Sequence, residues 1–353
     1  MQDCICRLPR LIIHGMITRL VTSVLTAGCI LLPSLARADD FAPVPELGYR
    51  VHRDFFDLPS TGEVSGVAIN SKGHIFLFQR VKPMLSEFTT DGRFMRSLGD
   101  GLFTHPHGLR IDADDNLWTT DDVSHLVLKF SPEGRVLLVL GRKDVGAEAD
   151  WLFNKPTDVA FGQNGEIFVS DGYANSRIMK FDRAGNFLKS WGKYGTGPGE
   201  FILPHSLVVD SQQRVYVADR ENMRIQIFDA EGTFLKEWKN VGYPYGLFLT
   251  PDQHVWMADG GFDRIVELDE NGTILGALGQ PGHAPGQFAW AHFLAVGPDR
   301  KLFVADVLNW RFQVFDPAPP SGKMSTYVPV RRMFYAFVPS TGFTTRTQVP
   351  SPK

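Results

Sequence analysis

Three histidines have a spacing with which this chain could carry chemistry. His107, His205 and His292 occupy the same position in every second copy of a six-fold internal repeat. If the repeats close into a ring, alternate copies lie a third of a turn apart, so the three imidazoles converge on the ring axis. Three imidazoles with a free fourth position are a catalytic zinc arrangement, although copper, iron or nickel would also accept them. We therefore predict a metal centre, with zinc as the expected ion.

The repeat that places these histidines has six copies. They begin at Ser65, His107, Thr157, His205, Tyr245 and His292, at intervals of roughly 40 to 50 residues, as in propeller blades. A second marker follows each start by about 14 residues, at Gln79, Asp121, Asp171, Asp219, Asp259 and Asp306. Within a copy, short β-rich runs alternate with turns rich in Gly, Asn and Asp, which indicates antiparallel hairpins. Four strands in each copy predict an all-β fold, a six-bladed β-propeller over residues 65–320.

The first 38 residues predict a signal peptide. Arg7, Arg10 and Arg19 precede an apolar run, and Ala36 and Ala38 form a small-x-small cleavage site. The apolar run is too short and too interrupted for a membrane span. We expect an exported protein, periplasmic or secreted, that is cleaved near Ala38.

The composition of the remaining chain excludes several classes of function. Cys4, Cys6 and Cys29 are the three cysteines of the sequence and lie within the predicted signal peptide, so the mature chain has no disulfide or thiolate ligand. Removal of the predicted signal peptide changes the formal charge from −3 to about −6. No basic stripe for nucleic acid remains. We expect a monomer that acts on a small molecule or a peptide.

Two segments flank the predicted ring. Residues 39–64 could supply the strand that completes the last blade, and residues 321–353 form a C-terminal extension whose last dozen residues we expect to be mobile. Either segment could close the ring, and the sequence does not choose between them.

The strand direction indicates which side chains accompany the histidines. Each start residue opens the innermost strand and the next strand returns antiparallel, so residues about 14 positions later come back to the same mouth of the channel. Arg80, Arg220 and Tyr173 follow markers in this way. Two guanidinium groups suit a substrate carboxylate, and we expect them, with a divalent ion, to favour the Tyr173 anion as a general base. The alternatives are hydrogen bonds to neighbouring blades for the histidines and surface ion pairs for the arginines.

Several motifs resemble a known family. They are Pro106-His107-Gly108-Leu109, Pro204-His205-Ser206-Leu207, Ser170-Asp171-Gly172-Tyr173 and Asp219-Arg220-Glu221-Asn222. Over most of residues 63–315 the chain resembles the peptidyl-α-hydroxyglycine α-amidating lyases, and its Asp-x-x-Asn-x-Arg-Ile motif resembles NHL repeats. The resemblance implies zinc on the three histidines, a catalytic centre containing Arg80, Tyr173 and Arg220, and cleavage of an N-acyl-α-hydroxyglycine to an amide and glyoxylate.

The chain also departs from that family. The third metal-ligand motif of the family reads Met-Pro-His-Asp, whereas this chain has Trp290-Ala291-His292-Phe293. The resemblance implies a structural calcium ion held by that aspartate and by the backbone carbonyls of Val67 and Leu109. Phe293 has no carboxylate, which argues against calcium in this chain.

Two other functions fit a six-bladed propeller. A non-catalytic propeller would display its rim to a protein or a glycan, because fold does not determine function. A hydrolase of the lactonase type would need acidic and amide metal ligands around the channel, where this chain has His, Thr, Tyr and Ser. The non-catalytic alternative leaves the alternating histidines and the paired arginines without a purpose.

Overall fold

A computed structural model describes residues 42–53, 55 and 62–325 of the chain. The described residues form six four-stranded antiparallel sheets and one two-stranded sheet, so the prediction of an all-β six-bladed propeller is confirmed. The predicted signal peptide, its cleavage near Ala38 and the C-terminal extension beyond Ser325 lie outside the described residues and stay predictions. Among the described residues, no helix is long and apolar enough to cross a membrane.

The strands follow the order of the repeats. Two short strands come first, β1 (Val44–Pro45) and β2 (Tyr49–His52). Blade one contains β3 (Val64–Ile69), β4 (Ile75–Gln79), β5 (Leu85–Phe88) and β6 (Phe94–Leu98). Blade two contains β7 (Pro106–Ile111), β8 (Leu117–Asp121), β9 (Leu126–Phe130) and β10 (Val136–Gly141). Blade three contains β11 (Asp158–Phe161), β12 (Ile167–Asp171), β13 (Arg177–Phe181) and β14 (Phe187–Trp191).

The second half of the ring repeats the pattern. Blade four contains β15 (Pro204–Val209), β16 (Val215–Asp219), β17 (Arg224–Phe228) and β18 (Phe234–Lys239). Blade five contains β19 (Pro244–Leu249), β20 (Val255–Asp259), β21 (Arg264–Leu268) and β22 (Ile274–Leu278). Blade six contains β23 (Ala291–Val296), β24 (Leu302–Asp306) and β25 (Arg311–Pro317), and β26 (Met324–Ser325) follows. Two short 3₁₀ turns, Arg220–Asn222 and Val307–Asn309, connect strands in blades four and six.

Blade six takes its fourth strand from the N-terminal side of the ring. β2 pairs antiparallel with β25, with Val51 opposite Phe315, so a segment that precedes blade one completes the last sheet. β26 pairs instead with β1 in the two-stranded sheet. Of the two segments that the sequence left open, residues 49–52 therefore occupy the outer position of blade six.

The strands differ in burial according to their place in a blade. In blade three every residue of β12 is buried, whereas β14 at the outer edge alternates between half-buried and exposed residues, as a strand with one solvated face does. The turn between β13 and β14 requires a glycine, because Gly185 has a φ of +88° and its N–H donates to the Asp182 carbonyl at 3.0 Å.

Apolar side chains pack between neighbouring blades. Phe168 and Ile178 of blade three, for example, contact Leu207 and Val217 of blade four in one buried cluster. Similar clusters lie along the other blade interfaces. This packing fixes each innermost strand against its neighbours and so fixes the start residues around the channel.

The marker aspartates tie blades two to six to the loops that enter them. Asp219 accepts hydrogen bonds from the Ile202 N–H at 3.1 Å and from Arg224 Nε at 2.8 Å. Its counterparts accept from a loop N–H and an arginine in the same way, namely Asp171, Asp259 and Asp306. In blade two, Asp121 binds the N–H groups of Thr104 and His105. The aspartate that marks each of these repeats thus has a structural role. We call it a latch, because its hydrogen bonds fix the incoming loop to the blade.

Candidate metal centre

The ring brings the three histidines to one place. One ring nitrogen from each of His107, His205 and His292 lies within 4.8 Å of the other two, and the residues are 0%, 0% and 2% exposed. No other group of three or more potential His, Cys, Asp or Glu ligands occurs among the described residues. Three buried imidazoles of this kind could hold a metal ion.

Each imidazole is oriented by a backbone carbonyl of the next blade. The Nδ1 atoms of His107, His205 and His292 lie 2.6, 2.8 and 2.7 Å from the carbonyl oxygens of Thr157, Tyr245 and Ser65. Because a carbonyl only accepts, each Nδ1 carries the proton and each neutral ring keeps its lone pair on Nε2. Fixing the tautomer through the second nitrogen is the usual support for a metal-bound histidine.

All three imidazoles are held in the neutral form. Burial is the largest cause that lowers the pKa of His107 and of His205 well below the ordinary value, and the neighbouring histidines and arginines lower it further. Burial, followed by the charge of Arg80, lowers the pKa of His292 to about 3. Neutral nitrogens are the form that binds a metal.

Tyr173 reaches the same point. Its hydroxyl lies 3.0 Å from His107 Nε2 and 3.1 Å from His205 Nε2. A phenol has a single proton to donate, so it satisfies one imidazole lone pair at a time. The cluster therefore has more acceptors than donors, which is the arrangement that a cation completes.

The two arginines favour the Tyr173 anion, but without a divalent ion they do not offset the burial of its hydroxyl. Burial is the largest cause and raises the pKa of Tyr173 to about 12, although Arg220 and Arg80 both lower it. The phenol lies far enough inside the channel that loss of hydration outweighs the two guanidinium charges. The charge of a divalent ion would have to supply the difference.

Arg220 lies above the phenol with one unused donor. Its guanidinium is 5.7 Å from the centre of the Tyr173 ring and 4.6 Å from that of Tyr245, and Nε donates to Glu221 at 2.9 Å. Nη1 is buried without a hydrogen-bond partner in the described part of the chain. A buried guanidinium nitrogen without an acceptor is unfavourable, so this atom is ready for an anionic ligand.

Arg80 approaches from blade one and is more fully paired. Nη1 contacts Glu63 at 2.7 Å and Nε donates to the Pro106 carbonyl at 3.3 Å. The expected alternative of an ion pair is therefore present, yet the charge of Arg80 still lowers the pKa values of His107, His292 and Tyr173. Arg80 thus contributes positive potential to the centre.

Two aromatic residues also belong to the centre, of which Tyr245 was not among the sequence candidates. Tyr245, the start residue of blade five, places its ring 5.1 Å from His205 and beneath Arg220. Trp290 packs edge-on against Tyr245 at 5.8 Å, and its indole N–H is buried without a partner among the described residues. The position of Tyr245 in the repeat could have identified it, because every start residue faces the channel.

The donor set fits zinc. Neutral imidazole nitrogens, without sulfur and with room for a fourth ligand, are a known zinc environment, and the same set would accept copper, iron or nickel. The calcium position implied by the resemblance does not fit as well. Val67 and Leu109, which would bind through backbone carbonyls, lie in β3 and β7, but Phe293 places an aromatic ring 4.9 Å from the His292 ring where the family has a carboxylate.

Sequence comparison finds relatives for about half of the chain. The chain is 40% identical over 188 residues to a probable peptidyl-α-hydroxyglycine α-amidating lyase of Caenorhabditis elegans, which covers 46% of this chain and 54% of that protein. It is 38% identical over 194 residues to the peptidyl-glycine α-amidating monooxygenase of Mus musculus, covering 46% of this chain and 20% of that protein. The matched part is homologous to amidating lyases. The chain spans about half the length of the nematode lyase and a fifth of the mouse enzyme.

Structural comparisons agree on the fold. A family model described as a 6-bladed beta-propeller matches residues 147–257. A gluconolactonase of Xanthomonas campestris superposes with a TM-score of 0.58 at 14% identity over 78% of this chain and 97% of that chain. A virginiamycin B lyase of Staphylococcus aureus superposes with a TM-score of 0.55 at 16% identity over 79% and 88%. A gluconolactonase and a virginiamycin B lyase share this scaffold about equally, so only the site can indicate the reaction.

Proposed function

We propose that the protein is a zinc-dependent lyase that splits an N-acyl-α-hydroxyglycine into an amide and glyoxylate. The observation that carries the proposal is the convergence of three imidazole lone pairs, the Tyr173 hydroxyl and the unpaired Arg220 Nη1 in one buried centre. Homology of the matched half of the chain to α-hydroxyglycine amidating lyases supports the choice of substrate class.

The carboxylate of the substrate is the natural partner for Arg220. Its Nη1 lacks an acceptor in a buried position, and a guanidinium binds a carboxylate with a fork of two donors. Burial opposes the charge of Arg220, but Tyr245, Tyr173 and Glu221 together raise its pKa, so it stays cationic. Arg80 adds positive potential from the opposite side of the histidines, which favours an anionic substrate further.

Cleavage then needs one proton to move and one bond to break. Zinc on the three imidazoles would supply a positive charge that polarises a substrate oxygen and favours the Tyr173 anion. Tyr173 takes the proton of the α-hydroxyl, a carbon–oxygen double bond forms, and the carbon–nitrogen bond breaks with its electron pair on nitrogen. Tyr173 returns the proton to that nitrogen. The products are a neutral amide and glyoxylate, so atoms and charge balance.

A glyoxylate assay tests this proposal. The zinc-loaded protein is incubated with benzoyl-α-hydroxyglycine near neutral pH, and we expect release of glyoxylate well above the spontaneous background. Arg220→Ala combined with Tyr173→Phe should remove that release, while Tyr194→Phe, on an exposed tyrosine of the same half of the ring, should retain it. Glyoxylate release no faster than that of the double variant would exclude the lyase reaction.

The same preparations separate the two alternatives. A propeller that only displays its rim would bind no stoichiometric metal and release no glyoxylate. A lactonase would hydrolyse a lactone with the metal in place and leave the α-hydroxyglycine intact. We expect neither result, because the described residues offer imidazoles rather than the carboxylate and amide ligands expected for a lactonase-type site.

A further inference from the structure

A buried charge cluster lies in the channel below the three histidines. Arg110 of blade two binds Asp158 of blade three with two parallel contacts, Nε to Oδ1 at 2.9 Å and Nη2 to Oδ2 at 2.5 Å. Ser206 of blade four donates to Asp158 Oδ2 at 2.7 Å and accepts from Arg110 Nη2 at 3.0 Å. The guanidinium also lies 5.2 Å from the centre of the Phe293 ring of blade six. Four of the six blades therefore meet in this cluster.

The cluster is specific to single copies of the repeat. One place after the start residues the six copies have Gly66, Gly108, Asp158, Ser206, Gly246 and Phe293. Three places after them the copies have Ala68, Arg110, Ala160, Val208, Phe248 and Ala295. Each position thus contains one charged residue, and the two charges are opposite. Asp158 and Ser206 are fully buried, and the Arg110 side chain is 12% exposed.

Backbone connections join this cluster to the metal centre above it. Asp158 follows Thr157, whose carbonyl orients His107. Ser206 follows His205 directly, and its hydroxyl accepts from the Leu247 N–H at 3.0 Å. Phe293 follows His292, and its ring lies 5.7 Å from the His107 ring. The cluster therefore lies next to the three imidazoles and is joined to them through the backbone.

The structural calcium ion of the family that this chain resembles does not fit this cluster. The carboxylate that would bind it is replaced by the Phe293 ring, and the guanidinium of Arg110 lies against that ring. Asp158 is already engaged by Arg110, Ser206 and the Val159 N–H. A divalent cation would meet a fixed positive charge in a region of low dielectric constant without a free carboxylate, which is strongly unfavourable.

We propose that Arg110 is the structural cation of this channel. Its contact with Asp158, completed by Ser206 and Phe293, joins blades two, three, four and six in place of a divalent ion. The protein accordingly takes up metal at the histidines alone. This inference concerns stability and calcium, so it can fail while the lyase proposal holds, and the reverse.

Calcium binding gives the first test. The purified protein is stripped of metal, exposed to millimolar calcium, and examined by elemental analysis after desalting and by thermal unfolding with calcium or with EGTA. We expect no stoichiometric calcium and the same Tm in both solutions, because a ligand that binds the native state must raise Tm. One calcium ion per chain together with a raised Tm would overturn the inference.

A double-mutant cycle gives the second test. Arg110→Met and Asp158→Asn each leave the partner residue without its opposite charge and should lower Tm by about 6 °C or more, whereas the double variant should lose less than the sum of the two. The control is Arg183→Met, which breaks an exposed contact with Asp114 at 3.2 Å between the same two blades and should lower Tm by no more than about 2 °C.

Additive losses in the cycle, or a loss for Arg110→Met no larger than that of the control, would contradict the role of Arg110. If Arg110→Met gives no folded protein, Arg110→Lys takes its place. Lysine keeps the charge but not the fork of two donors, so an intermediate Tm is expected. A wild-type Tm for Arg110→Lys would show that the two parallel contacts contribute nothing.

Discussion

Two sets of residues repeat around the ring, and they differ in how fully their polar atoms are satisfied. The marker aspartates, such as Asp259, accept from a loop N–H and from an arginine inside the same blade. The histidines donate to a neighbouring carbonyl through Nδ1, and their Nε2 atoms converge at a point where the single Tyr173 proton satisfies one of them at a time. Both sets are buried and both recur at a fixed repeat position. Buried polar atoms that have hydrogen-bond partners within their own blade indicate a structural latch. Buried polar atoms that converge on one point with too few donors indicate a functional site.

Removing one histidine should have the largest effect on function. We expect His205→Ala to lose stoichiometric metal and to lower kcat/KM by about 10⁴-fold, because the metal contributes several kcal/mol to the reaction. Elemental analysis and the glyoxylate assay measure both losses. His254→Ala is the control, since His254 contacts Glu267 at 2.9 Å away from the centre. Retention of metal and activity in His205→Ala would remove the histidines from the site.

Removing one marker aspartate should affect stability instead. Asp259→Ala removes the buried carboxylate that Arg264 Nε contacts at 2.9 Å and that accepts from the Tyr243 N–H at 2.9 Å, so we expect the free energy of unfolding to fall by about 3–5 kcal/mol. Urea unfolding measures the loss. The folded fraction should keep kcat/KM within about threefold, because Asp259 makes no contact with the histidines. A large loss of activity in folded protein would erase the distinction between latch and site.

Substitution of Arg220 tests whether a buried arginine nitrogen without an acceptor indicates where the substrate binds. Arg220→Lys keeps the positive charge but cannot present two fixed donors to a carboxylate, so we expect kcat/KM to fall by about 100-fold with little change in Tm. Steady-state kinetics with benzoyl-α-hydroxyglycine measure it. Activity equal to the wild type would mean that the unpaired Nη1 is not where the substrate binds.

Acid should destabilise the metal-free protein through the same histidines. Their pKa values are depressed in the folded state, His292 to about 3, while the unfolded value is about 6.5. The unfolded chain then binds more protons, so stability is complete above pH 6.5 and is lost as pH falls toward 3. The slope is about 1.4 kcal/mol per pH unit for each histidine.

His292→Phe should reduce the slope of stability against pH by about 1.4 kcal/mol per pH unit, the contribution of one histidine. The measurement is the free energy of urea unfolding at a series of pH values, with the metal removed from both proteins. A slope that does not change in the variant would mean that His292 is already charged in the folded protein, contrary to its burial.

The arrangement of the blades and of the residues around the channel could be predicted from the sequence because the repeat is regular. Start residues share one level of the channel whatever their type, so the convergence of His107, His205 and His292 could be predicted from their positions alone. The same regularity placed Arg220 and Tyr173 near them. The homology to amidating lyases agrees with the family that the motifs resemble.

Other features needed the three-dimensional structure. The contact between Arg110 and Asp158 joins different repeat positions on neighbouring blades, and the sequence signals it only through the single charged residue at each of these positions. The raised pKa of Tyr173 depends on the depth of burial, which the sequence does not give. The choice of residues 49–52 as the outer strand of blade six depends on pairing across the whole chain.

The most direct test of the central claim is anomalous scattering from crystals grown with zinc. We expect one peak at the zinc edge on the channel axis, bound by Nε2 of His107, His205 and His292 at about 2.0–2.1 Å, and no second peak beside Arg110. A zinc-loaded crystal without a peak between the three imidazoles would contradict the account.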